Sequence, residues 1–181
     1  GPIFAIFITQ NIKDGSLAMV GFASGTFWIT KSIVQLFIGH FLDIKKGEED
    51  DFKFLIGGLF VANLVPLGYF FSSNILHILA LEFIRGLAMA AVVPSWTAIF
   101  TRHIDKGWEA FSWSIHSTSF GFAAAGAATI GGVLATILGF KAVFILVSFF
   151  GFVSTLFLFR IRDQIFAKEF GDKIGNKEII S

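Results

Sequence analysis

Three ionisable side chains interrupt long apolar stretches of this chain: Lys31, Glu82 and Arg85. A charge in such surroundings must be paired, hydrated or met by a ligand. Glu82 and Arg85 are three apart, so on a helix they share a face and can form an ion pair. At about 100° per residue that face continues through Gly86, Met89, Val93 and Trp96. Ser24, Trp28, Lys31 and Gln35 fall within about 60° of one another and make a second polar stripe. Ser112, His116 and Ser119 make a weaker third. An acid beside a guanidinium can handle a proton or a substrate, an ammonium can hold an anion, and Trp28 and Trp96 can stack on a ligand. Each residue also has a purely structural reading. The Glu82–Arg85 pair can neutralise itself and lock a helix bundle, and Lys31 can pair with Glu82 or snorkel. His116 can make one structural hydrogen bond, and the two tryptophans can simply pack.

Other chemistries find no support. There is no G-x-S-x-G, H-E-x-x-H or phosphate-binding loop, and no cysteine. His40, His77, His103 and His116 fall on both sides of the apolar spans and do not make one metal site. The reading is therefore no enzyme, no cofactor and no metal. A net charge of +1 gives no argument for nucleic acid.

The elements that must position the charged residues are membrane helices. Of 181 residues, 55% are hydrophobic and 15% charged, with 25 phenylalanines, and the mean hydropathy is +0.77. Soluble domains carry about 25% charged residues. The apolar spans are residues 17–42, 54–71, 75–101, 110–138 and 142–159, with Pro66 and Pro94 inside two of them. Residues 1–9 form a partial span of about 14 Å against a bilayer core of roughly 30 Å. The expectation is an upstream apolar segment of about ten residues in the native gene. Residues 1–162 then form one transmembrane bundle. Residues 163–181 form a charged amphipathic tail lying along the membrane surface, its apolar stripe running from Ile161 through Ile165, Phe166 and Phe170 to Ile174. Within the spans Lys31, Glu82 and Arg85 each cost about 2.5–3.5 kcal/mol at mid-membrane, so they are expected to face a cavity or each other. Helices 2, 4 and 5 carry the polar stripes and are read as cavity-lining. Helices 3 and 6, with little beyond Asn63 and hydroxyls, are read as peripheral. Gly21/Gly25, Ala127/Gly131 and Ala128/Gly132 are read as small-residue packing surfaces.

Alternating turns place ten basic residues on one side, from Lys45, Lys46 and Lys53 through Arg102 and Lys106 to the C-terminal tail. Only Lys13 and Lys141 fall on the other. By the positive-inside rule the 39–53 connection, the 102–109 connection and the C-terminus are cytosolic.

The first of these connections carries a motif. Gly39 and Asp43 sit four apart at a helix end, followed by Lys45, Lys46 and Gly47 and then the acidic run Glu48-Glu49-Asp50-Asp51. This resembles the G-x-L-x-D-R-x-G-R-R turn between helices 2 and 3 of the major facilitator superfamily. Ile44 replaces the first basic residue, Gly47 comes one position late, and Glu48-Glu49 replace the closing basic pair. Along helix 4 the family pattern R-x-x-Q-G lines up with 82–86: Gly86 matches, Glu82 stands at the arginine place and Arg85 at the glutamine place. Along helix 5, G-P-x-x-G-G lines up with 127–132. Gly131 and Gly132 are kept and the Gly-Pro is lost, so antiport gains no support.

The resemblance implies an all-α polytopic bundle, a six-helix half of a secondary transporter in the plasma or inner membrane. It would move a small solute by alternating access against a second six-helix unit, either a copy of itself or a missing half. Lys31 and Arg85 against Glu82 leave one net positive charge, which favours a solute with an anionic or strongly hydrogen-bond-accepting group. The expected cavity residues are Ser24, Trp28, Lys31, Gln35, Glu82, Arg85 and Trp96. The alternative is a non-transporting membrane scaffold that uses the same bundle to bind a partner. A polar cavity beside the charges favours the first, and a sealed charge cluster the second.

Overall fold

Helices begin and end in this chain where charge, glycine or a small polar cluster interrupts apolar sequence. The structure is a computed structural model and describes residues 2–45, 47–160 and 162. Among these residues there are six helices: α1 (Pro2–Asn11), α2 (Leu17–Lys45), α3 (Glu48–Phe71), α4 (Ile75–Arg102), α5 (Glu109–Leu138) and α6 (Phe140–Arg160). The last five are long and apolar enough to cross a membrane. At 1.5 Å per residue, the shortest of them, α6, is about 32 Å long, enough for a bilayer core of about 30 Å. The proposed surface helix at 163–181, and Lys46, lie outside the described residues.

Each turn has a local cause. Asp14 takes a left-handed conformation, φ 61°, between α1 and α2. The Asn74 side chain caps α4 by accepting the His77 N–H at 3.1 Å. Gly139 turns α5 into α6 at φ 81°, a value open to glycine and strained for other residues. One boundary differs from the sequence reading. The acidic run 48–51 is the first turn of α3, not part of a loop. Four carboxylates there meet the positive end of the helix dipole, and α3 begins six residues earlier than its apolar stretch. Pro66 and Pro94 sit inside continuous helices.

Packing is concentrated on α4, which lies between α2 and α3; α6 covers α3, and α1 packs on α2 and α5. In lipid, apolar side chains gain little by leaving one apolar medium for another, so small residues and polar contacts hold helices together. Gly58 of α3 is close enough to α4 that an added Cβ would lie 2.7 Å from the Ala88 carbonyl oxygen. Gly86 of α4 is similarly close to α2, at 2.9 Å from Thr30 Cβ. Between α3 and α6, Asn63 Nδ2 donates to Thr155 Oγ1 at 2.9 Å. The small pairs singled out in the sequence behave otherwise. Gly21, Gly25 and Gly132 face open space, and of these pairs' glycines Gly131 alone meets a neighbour, Ile3 of α1. No residue of α5 is buried, whereas α3 buries seven. Helix α3 is thus the packed partner of α4, and α5 presents nearly all of its surface outward.

Candidate functional site

The centre of the charged site is the Glu82 carboxylate, fully buried. Its position follows from the α3–α4 hairpin, whose three-residue turn sets the last turn of α3 against the first two of α4. Tyr69 of α3 donates its hydroxyl to Glu82 Oε1 at 2.5 Å. Arg85, one turn further along α4, donates to Glu82 Oε2 from Nε at 3.0 Å and from Nη2 at 2.5 Å. Both carboxylate oxygens are therefore satisfied, as a buried carboxylate requires. The expected Glu82–Arg85 pair forms, with a third member the sequence reading missed. The available signal was that Tyr69 is the chain's one tyrosine beside 25 phenylalanines.

Arg85 is 38% exposed, so only one side of its guanidinium is committed. Its carbon lies 4.1 Å from the Phe27 ring centroid, a cation–π stack on α2. The open side faces a cavity of about 560 Å³. Ser24, Phe27 and Trp28 of α2, Arg85 of α4 and Ala127 and Ala128 of α5 line it. Pro66 and Tyr69 of α3 and Val143, Phe144 and Val147 of α6 line it too, so the two helices read as peripheral supply part of its wall. The Lys31 ammonium sits 4.8 Å from the Trp28 ring centroid and, among the described residues, makes no ion pair.

Of the residues expected at the cavity, Ser24, Trp28 and Arg85 line it, Glu82 backs Arg85, and Lys31 lies against Trp28. Gln35 and Trp96 do not join them. The Gln35 side-chain oxygen is buried without a hydrogen-bond partner. Trp96 donates Nε1–H to His116 Nε2 at 3.2 Å and stacks on Phe100 at 5.6 Å, in an aromatic cluster between α4 and α5. Among the described residues His116 thus makes one hydrogen bond, to Trp96.

At the other end of the bundle the loop motif is partly rearranged. Gly39 faces α4, where an added Cβ would sit 3.9 Å from Pro94 Cβ, an ordinary contact that does not itself demand glycine. Lys45 ends α2 and Gly47 precedes α3 in an extended conformation. Asp43 is exposed and makes no ion pair among the described residues. The interhelical bridge at this end comes from the acidic run. Arg102 at the end of α4 bonds to Glu48 Oε1 at 3.2 Å and to Asp51 Oδ2, and both carboxylates are buried. Replacing Arg102 with methionine removes the cation between two buried carboxylates and leaves Glu48 with His103, whose Nδ1 lies 3.8 Å from Oε1. Because the guanidinium is 41% exposed, the expected loss is about 2 kcal/mol rather than the larger cost of a fully buried pair. It should appear as a lower Tm in detergent, and an unchanged Tm would show that the clamp is ornamental.

Five membrane-length helices with an ion pair that opens on a cavity are those of a multi-pass integral membrane protein. The Major Facilitator Superfamily profile matches residues 1–178. The chain belongs to that superfamily, which is made of transporters rather than enzymes. Comparison with curated proteins and with solved structures gives no match.

Proposed function

We propose that this chain forms the solute-binding wall of a facilitator-type transporter, and that its solute carries an anionic or strongly hydrogen-bond-accepting group. The observation that carries the proposal is uncompensated charge at and beside the cavity, which Arg85 lines and Lys31 adjoins through Trp28. Glu82 is saturated by Tyr69 and Arg85, while Arg85 keeps an open side and Lys31 has no acid. Two cations against one carboxylate in a low-dielectric setting favour a negative ligand. Trp28 and Phe27 supply flat apolar surface on which the remainder of a solute can rest. An open cavity beside the charges also supports transport over a sealed scaffold. The exposed faces of α2 and α5 suit rocking against a second six-helix unit.

The test is uptake into proteoliposomes containing the full-length protein, with panels of small anionic and small cationic solutes. Uptake from the anionic panel is expected, and uptake confined to cations would overturn the assignment. Orientation is tested separately. The charge bias puts the 39–53 and 102–109 connections and the C-terminus in the cytosol. Cysteines at Glu49 or Asp105 should then react only with cytosolic reagent, and one at Asp14 only from outside. The opposite pattern would invert the topology.

A further inference from the structure

Lys13 and Lys141 are the two basic residues that run against the charge bias, and they lie far apart in sequence. The fold brings both to one cavity of about 750 Å³ at the Lys-poor face of the bundle. Three turns meet there, and Ser72 and Ser73 of the α3–α4 turn stand between the lysines' two turns. No carboxylate lines this cavity. The Lys13 N–H donates to the Ser73 carbonyl at 3.1 Å, which fixes the backbone and leaves the ammonium uncommitted. The Lys141 ammonium rests 5.1 Å from the Phe70 ring centroid. Neither has an acidic partner among the described residues. Two like charges sharing one concavity repel unless an anion sits between them.

Apart from Asn11 and Tyr69, the rest of the wall is apolar, and Phe71 and Leu138 lie at helix ends. Phe71 is 77% exposed and Leu138 56%. At that level aromatic and aliphatic side chains meet the headgroup boundary of a bilayer. The cavity thus pairs ammoniums and hydroxyls with an apolar rim, which matches an amphiphile bearing a compact anion. It is separate from the Arg85 cavity, and Tyr69 is the residue common to both walls.

We propose that this cavity binds a phosphate group between Lys13 and Lys141, and the apolar rim marks an anionic phospholipid headgroup as its source. The experiment uses full-length protein in a neutral detergent, with phosphatidylglycerol and phosphatidylcholine adducts counted by native mass spectrometry. Wild type, the double variant Lys13→Gln/Lys141→Gln and Lys106→Gln on the opposite face are compared. Both cavity lysines are exposed, so the variants should keep the wild-type Tm. Phosphatidylglycerol retention should fall roughly tenfold in the double variant and hold in Lys106→Gln, with phosphatidylcholine weak throughout. A second arm adds inorganic phosphate. Displacement of the lipid at millimolar phosphate would assign the site to the phosphate group itself, and resistance would assign it to the whole lipid. Equal phosphatidylglycerol retention by wild type and double variant would overturn the proposal.

Discussion

Lys31→Met is expected to abolish uptake while leaving the yield and Tm of the folded protein unchanged or slightly raised. The two halves of that expectation have one cause. Lys31 is half-buried and its ammonium has a single described neighbour, the face of Trp28, with no carboxylate to compensate it. A cation near mid-membrane costs about 2.5–3.5 kcal/mol on the insertion scale. A cation–π contact returns only about 1 kcal/mol of that at a partly open site. On the binding model proposed above, that cost is offset by the anionic group the ammonium holds. Methionine keeps the unbranched stem and removes the charge, so packing against Trp28 survives. The paired measurement is uptake in proteoliposomes beside thermal unfolding in detergent. Normal uptake by a well-folded Lys31→Met protein would return Lys31 to a snorkelling or packing role.

Glu82→Leu should do the reverse and damage the fold first. The carboxylate is fully buried and accepts one hydrogen bond from Tyr69 and two from Arg85. Removing it leaves a buried hydroxyl and a guanidinium without their acceptor. Stranding one member of a buried ion pair costs about 3–5 kcal/mol. The low end applies here because Arg85 is 38% exposed to the cavity and can recruit water. Tyr69→Phe, which removes one charge-assisted hydrogen bond and leaves the ion pair, should cost about 1.5–3 kcal/mol. The double variant Glu82→Leu/Arg85→Leu removes donor and acceptor together and should be more stable than Glu82→Leu alone. If the double variant is the less stable of the two, the ion pair is not what makes Glu82 important. Glu82→Gln keeps an acceptor oxygen and should fall between wild type and leucine.

What the sequence by itself determined are properties that belong to one helix or one stretch at a time. The five spans are legible because transfer into lipid is additive along the chain, whatever the neighbours are. The Glu82–Arg85 pair is legible because three residues is nearly one helical turn. The expected membership of the major facilitator superfamily agrees with the profile over residues 1–178, since the spacing of spans and turns carries it. What only the tertiary structure decided depends on how each helix is rotated against the next. Tyr69 reaches Glu82 across a hairpin, and Arg102 reaches Glu48 from 54 positions away. That distant cation meets Glu48 and Asp51, while Lys53 meets Glu49 and Asp50 and the helix dipole favours all four, so the run forms a helix turn. Gly58 and Gly86 are packed while Gly21 and Gly25 are bare, although the sequence shows all four alike as glycines in apolar helices. Ser24 and Trp28 open on the cavity, whereas the Gln35 side-chain oxygen on the same stripe is buried away from it. Periodicity fixes which residues share a face, and interhelical packing fixes what that face meets.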